Sequence, residues 1–126
     1  MNITCGTDII EIGRIKESIE RSGDTFLNEI FTQNEIDYCK SKNSNMYQHF
    51  AARFAAKEAI FKAISYLLDD KFEITWKNAE ISNNEMGKPI VTFVNANLEN
   101  MEIDLSISHC KEYAIAIVVA KYKGEI

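Results

Sequence analysis

The chain has 126 residues, 46% of them hydrophobic and 26% charged, with a formal net charge of −5. Such a length fits a single domain, 1–126, able to bury roughly two-thirds of its unfolded surface. The acidic balance argues against nucleic acid as a partner, and no apolar run approaches the ~20 residues of a membrane span.

Residues 2–10 read as a strand, with Ile3, Cys5, Thr7 and Ile9 on one face. Asp8 interrupts this run, and a carboxylate among apolar residues costs several kcal/mol, as an order of magnitude, unless it is paired. Residues 11–22 read as a helix ended by Gly23. Thr32-Gln33-Asn34-Glu35 has the form of a capping box and predicts a short helix through about Ser41. Lys42 to Asn45 is polar and turn-like, and a long helix follows from about Met46 to Leu68. Phe72 to Ile74, Ala79 to Ser82, Ile90 to Val94, Ile103 to Ser108 and Tyr113 to Lys121 read as strands. Asn83 to Pro89, with the chain's only proline, is a turn between two of them. The late strands are spaced for an antiparallel meander. The expected class is α+β, an antiparallel sheet with a long central helix packed on it.

The last strand is apolar on both sides. Tyr113, Ile115, Ile117 and Val119 face one way, and Ala114, Ala116, Val118 and Ala120 the other, so both faces should be covered. The domain's own helices or a neighbouring subunit would serve. The N-terminus lacks the basic start and apolar stretch of a signal peptide. Cys5, Cys39 and Cys110 are far apart and form no C-x-x-C pair, which reads as reduced thiols in a cytoplasmic protein.

The segment Arg53-Phe54-Ala55-Ala56-Lys57-Glu58-Ala59-Ile60-Phe61-Lys62 carries the chemistry. Residues four apart share a helix face, so Arg53 lies beside Lys57, and Glu58 beside Lys62. On spacing alone Glu58 and Lys62 also read as an ordinary surface pair, and Asp8 as a turn or strand-end residue. Taken together, two acids and a lysine in partly apolar surroundings suit a divalent cation and a diphosphate. Mg²⁺ takes one or two carboxylates plus substrate phosphates, and a lysine supplies a point charge for phosphoryl oxygens. His109 follows a strand and has only His49 as a possible metal-binding partner, so it reads as structural when taken alone. Gly87-Lys88-Pro89 taken alone is a turn. Arg14 and Arg21, seven apart, share one face of the first helix with Lys16 nearby; Glu11, Glu17 and Glu20 on the same helix allow a plain solvated face instead.

At these residues the chain resembles the holo-[acyl-carrier-protein] synthases, the small group of 4′-phosphopantetheinyl transferases. Gly6-Thr7-Asp8-Ile9 matches the family's first motif, and Arg53 to Lys62 its second, F-x-x-K-E-x-x-x-K. Gly87-Lys88-Pro89 and Leu105-Ser106-Ile107-Ser108-His109, leading into Lys111-Glu112-Tyr113-Ala114, follow in the family's order. The resemblance runs from Ile3 to about Ala120. Two departures are visible: Ser65 to Asp70 lacks the glycines usual after the helix, and Asp24 stands where a basic residue is common.

The resemblance implies transfer of 4′-phosphopantetheine from coenzyme A to a serine of apo acyl carrier protein, releasing adenosine 3′,5′-bisphosphate. It implies Asp8 and Glu58 as Mg²⁺ ligands and Lys62 as a phosphate contact, with Asp8, Glu58 and Lys62 forming the catalytic set. Either Glu58 or a metal-bound water would take the serine proton. Arg53, Lys57, Lys62, Ser108 and His109 are expected at the coenzyme A phosphates, and Lys88 and Pro89 near its adenosine. Arg14 and Arg21 are expected to dock the acidic carrier protein. The group's trimers imply a homotrimer with the site between subunits. Two other classes stay open: a module that binds coenzyme A or a nucleotide without chemistry, which should lack Glu58 or Lys62, and an acidic interaction domain, which would not need Asp8 together with the second motif.

Overall fold

A computed structural model describes residues 2–68 and 74–123. The chain begins with strand β1 (Ile3–Glu11), followed by helices α1 (Ile12–Ile30), α2 (Gln33–Lys40) and α3 (Met46–Ile64). Four strands complete it: β2 (Ala79–Asn83), β3 (Pro89–Phe93), β4 (Met101–His109) and β5 (Tyr113–Tyr122). All pairings are antiparallel, and the fold is α+β as expected. The order differs from a simple meander. β5 lies between β1 and β4, while β2 and β3 form a separate hairpin sheet. The N-terminal strand thus closes one edge of a sheet otherwise built from the end of the chain, with Asp8 opposite Ala116 and Thr7 opposite Ile117.

Three further expectations are corrected. Gly23 does not end the first helix. It breaks it with φ 50° and ψ −127°, after which the chain turns helical again to Ile30. Glycine tolerates that conformation, and the second segment buries Leu27 and Ile30. α3 stops at Ile64 and tightens into a 3₁₀ turn over Ser65–Leu67, a common way for a helix end to satisfy its last carbonyls. Ile74 is not in a strand, and the rest of the expected strand Phe72–Ile74 lies outside the described residues. The capping box is present as read: Thr32 accepts from Glu35 N, and Glu35 accepts from Thr32 N at 2.8 Å.

α3 is the axis of the molecule. Ala55, Ala56, Ala59 and Ala63 are fully buried and join Ala116, Val118 and Ala120 of β5 in one apolar cluster; Phe50, Ala51 and Ala52 join α1, α2 and Ala114 in a second. Helix and strand lie so close that a Cβ at Gly6 would fall 2.1 Å from Ala59 O. Only glycine fits there, whatever its backbone angles. The alanine face of β5 is therefore covered by α3. The other face of β5 and its neighbour β1 is not covered by the described residues: Ile9 is 63% exposed, Ile117 52%, Ile3 46% and Val119 45%.

Lys57, also on α3, is completely buried. Its Nζ donates to Trp76 O at 2.8 Å and Ala79 O at 2.7 Å and pairs with Glu35 Oε1 at 2.8 Å. Glu35 Oε2 in turn accepts from Ile81 N at 2.8 Å. One cation thus joins α2, α3 and the start of β2. Burial holds the Lys57 pKa below the ordinary lysine value, and the Glu35 charge opposes that shift. Removing one partner of a buried pair leaves the other charge and several main-chain groups unsatisfied. Lys57→Met is expected to lower the unfolding free energy by about 3–5 kcal/mol. Urea denaturation followed by circular dichroism measures this, and a loss below about 1 kcal/mol, the range of an exposed pair, would contradict it.

Candidate active site

β1 and α3 meet where the first two motifs lie. Asp8 shares the inner side of β1 with Gly6, two residues beyond the point of closest approach. Lys62, one helical turn after Glu58, reaches across. Its Nζ pairs with Asp8 Oδ1 at 3.1 Å and donates to Thr7 O at 2.9 Å. The Asp8 side chain is 17% exposed, whereas that of Lys62 is 56% exposed, so the site opens to solvent on the lysine side.

Glu58 is half-buried. Its Oε1 accepts from Trp76 Nε1 at 3.1 Å. The Trp76 ring stacks near Phe54, with centroids 6.5 Å apart at 28°, and tilts against Phe61 at 6.4 Å. Phe54, Glu58 and Phe61 thus share one side of α3, and an aromatic residue from outside the helix lies against it. Two carboxylates and an ammonium are a hard-oxygen donor set with positive charge beside it. Among the described residues no three or more His, Cys, Asp or Glu side chains converge as a complete metal cage. A two-carboxylate set suits Mg²⁺, which keeps waters and takes phosphate oxygens as its other ligands.

Arg53 is only 4% exposed. Its guanidinium lies 4.1 Å from the Tyr38 ring centroid, and its Nη2 donates to Asn83 Oδ1 at 2.9 Å. Its Nε is buried with no hydrogen-bond partner among the described residues. Lys42 Nζ lies 4.7 Å from the same ring. His49 packs edge-on to Tyr38 and 6.1 Å from the His109 ring. Burial first, then the charges of Arg53, Lys42 and His109, hold its pKa below the ordinary imidazole value. His109 thus joins Arg53 in one cationic cluster through a residue 60 positions earlier in the chain. His109 and Ser108 end β4 and are exposed.

The structure brings the remaining expected residues to different places. Lys88 pairs with Asp104 at 2.8 Å and donates to Leu105 O at 3.2 Å, tying the β2–β3 turn to β4. Pro89 opens β3 just after Gly87, whose φ is 82°. Lys57 is the correction among them: all three of its protons are used inside the protein, so a phosphate contact would require breaking the Glu35 pair. Arg14 is exposed and pairs with Glu11 at 3.6 Å. It borders a hollow of about 220 Å³ lined also by Ile9, Ile10 and Tyr113. Arg21 is exposed two turns further along α1. Trp76, Tyr38, His49 and Asn83 were not singled out from sequence. Trp76 alone carried a signal: it is the chain's single tryptophan, and a buried indole N–H usually finds a partner.

The model of the 4′-phosphopantetheinyl transferase superfamily matches residues 4–118. A holo-[acyl-carrier-protein] synthase of Ruminiclostridium cellulolyticum is 41% identical over 125 residues, covering 94% of this chain and 92% of the relative. One of Thermodesulfovibrio yellowstonii is 45% identical over 114 residues, covering 90% and 94%. Among solved structures, a holo-(acyl-carrier-protein) synthase of Bacillus anthracis in complex with CoA (3′,5′-ADP) superposes with TM-score 0.78 at 36% identity, covering 94% of this chain and 96% of that one. The Helicobacter pylori enzyme in complex with coenzyme A gives 0.79 at 31% identity, covering 93% and 99%. Sequence, fold and the joined first and second motifs thus agree, and the chain belongs to the 4′-phosphopantetheinyl transferase superfamily as an enzyme of its holo-[acyl-carrier-protein] synthase group.

Proposed function

We propose that this chain, acting as one catalytic domain, moves 4′-phosphopantetheine from coenzyme A to a serine of apo acyl carrier protein and releases adenosine 3′,5′-bisphosphate. The observation that carries this reading is the 3.1 Å Lys62–Asp8 bridge, which joins the first motif on β1 to the second on α3 one turn from Glu58. Asp8 and Glu58 would hold Mg²⁺, whose charge, when bound, reduces the repulsion of the diphosphate toward an incoming hydroxyl. Lys62 adds fixed positive charge where negative charge builds up on the phosphoryl oxygens. The serine oxygen forms the new bond to the β-phosphorus as its bond to the bridging oxygen breaks. Glu58, which is not tied to Lys62, is the candidate acceptor of the serine proton. The buried guanidinium of Arg53, with one N–H unmet, and the neighbouring His109 and Ser108 would take the cofactor's phosphates. Lys88 and Pro89 would border its adenosine. Among the described residues no helix is long and apolar enough to cross a membrane, and the three cysteines are unpaired, which supports a cytoplasmic setting.

If Asp8 and Glu58 hold the metal, Asp8→Asn and Glu58→Gln should fold normally and lose about 100-fold or more in kcat. Initial rates across a Mg²⁺ series, with circular dichroism as folding control, test this. Wild-type rates in chelator would rule out the metal site.

The exposed Arg14, beside the hollow formed by Ile9, Ile10 and Tyr113, is the proposed contact for the acidic carrier protein, with Arg21 further along the same helix. Arg14→Glu should raise KM for carrier protein by about tenfold at low salt and leave KM for coenzyme A unchanged, because surface charge acts on encounter with the charged partner. An unchanged carrier KM would remove Arg14 from the docking surface.

The uncovered face of β1 and β5 supports the third part of the proposal, a homotrimer with the coenzyme A site across its interface. Ile9 lies opposite Ile115, Thr7 opposite Ile117 and Cys5 opposite Val119, so the exposed apolar side chains form one contiguous patch rather than scattered residues. Cys5 lies within it. Cys39 is buried, with desolvation pushing its thiol up to about 12, and Cys110 is exposed. In the assembled protein a thiol reagent should therefore modify Cys110 quickly, Cys5 slowly and Cys39 only on unfolding. Mass mapping after timed labelling reads this, with light scattering for the assembly. A fully active monomer with freely reactive Cys5 would contradict the trimer.

A further inference from the structure

The contact between Trp76 and Glu58 goes beyond the residues assigned so far. We infer that Trp76 is a positioning residue that fixes the Glu58 carboxylate for cation binding. This rests on the reading of Glu58 as a metal ligand. A glutamate's terminal torsion is broad, so a carboxylate on an open helix face samples many orientations. Here one oxygen accepts the indole N–H at 3.1 Å, leaving Oε2 and the remaining lone pair of Oε1 for other partners. An indole N–H is a donor only. It therefore holds the carboxylate as an acceptor and cannot accept a proton from it.

The indole and the main chain of Trp76 are both held by α3. Phe54 and Phe61 flank the ring from positions four before and three after Glu58. The main chain of Trp76 is fixed from below by the neighbour of Glu58 in sequence: buried Lys57 donates to Trp76 O at 2.8 Å and is itself held by Glu35. The saturated ammonium of Lys57 thus acts at the surface through one further residue. Glu35 orients Lys57, Lys57 fixes Trp76, and Trp76 orients Glu58. Hydrogen-bond partners that orient a ligating group typically cost 10–100-fold in metal affinity when they are lost.

The test uses Mn²⁺, a hard cation suited to carboxylate and water ligands like Mg²⁺, titrated into the full chain with coenzyme A present and followed by electron paramagnetic resonance of the free ion. Trp76→Phe keeps an aromatic ring and removes the N–H. Because the chain has a single tryptophan, β-(3-benzothienyl)alanine can also replace it biosynthetically, keeping the bicyclic shape with sulfur in place of N–H. Both proteins should bind Mn²⁺ about tenfold more weakly. Both should need about tenfold more Mg²⁺ for half-maximal transfer while recovering kcat at saturating Mg²⁺. The benzothienyl protein should keep the wild-type thermal midpoint. A purely structural role for Trp76 would lower the midpoint and leave the Mn²⁺ constant unchanged, and that result overturns the inference. Glu58→Gln separates the two levels. If it weakens Mn²⁺ binding and abolishes transfer while both Trp76 replacements bind like wild type, the proposed function stands and this inference fails. If Glu58→Gln itself binds and turns over like wild type, the reading of the site fails and the inference with it.

Discussion

The structure depends on how closely α3 can approach the sheet. The contact is made by small residues: Gly6 on β1, Ala114, Ala116 and Ala120 on β5, and Ala55, Ala59 and Ala63 on the helix. A single Cβ at Gly6 would lie 2.1 Å from a helix carbonyl oxygen, so no larger residue is accommodated without displacing backbone. The short distance has a chemical result. It sets Asp8, two residues along the strand from Gly6, within reach of Lys62, on the helix turn beside Gly6. A helix held a few ångströms further out by larger side chains would leave a lysine on α3 unable to meet an acid on β1. The small residues, which give up apolar contact area, thus define the distance across which the site is built.

The buried Lys57–Glu35 pair deals with a second problem, the attachment of the β2–β3 hairpin. This hairpin shares no ladder with the main sheet. A two-stranded hairpin is marginal by itself, so other contacts must hold it. Glu35 accepts from Ile81 N, Lys57 donates to Ala79 O and Trp76 O, and Lys88 reaches β4 through Asp104 and Leu105 O. Buried pairs of this kind are weak evidence for net stability. Here every proton of the lysine has an acceptor, which gives the pair directional content that an apolar contact of the same volume lacks. It sets where Trp76 stands relative to α3, and so what lies next to Glu58.

Most of the elements and the first two family motifs were legible in the sequence because their signals are local. A charge within an apolar strand marked Asp8. Helical spacing put Glu58 and Lys62 on one face. Thr32 and Glu35 announced a helix start three residues apart. What depended on distant partners was not legible. Glu35 has a second role that the capping pattern cannot reveal, because Lys57 is 22 residues away. Lys57 itself read as a coenzyme A phosphate contact, since spacing gives the faces of a helix but not which faces are covered, and α3 is covered on nearly all of them. Tyr38 and His49 gave no signal, because the cluster they form with Arg53 and His109 exists only once α2, α3 and β4 have been brought together. Strand order was beyond the pattern for the same reason: nothing in residues 2–10 says that their partner is the last strand of the chain.

The two faces of β5 are the observation on which the proposed association of this small domain rests. One face is lined by alanines and a valine and is filled by α3. The other carries Ile115, Ile117 and Val119, with Ile3 and Ile9 from β1 beside them, and among the described residues no further helix lies across it. Both of its core clusters already use α3, and α1 and α2 pack on the far side of that helix and on Ala114. Covering the outer face from within would need another element of about the length of α3. A second copy of the same surface needs no additional sequence, since an apolar patch of this size can be satisfied by repetition of the chain around a symmetry axis. Packing one sheet face with the smallest side chains and leaving the other with branched ones is the pattern expected of a strand that serves its own helix on one side and another subunit on the other.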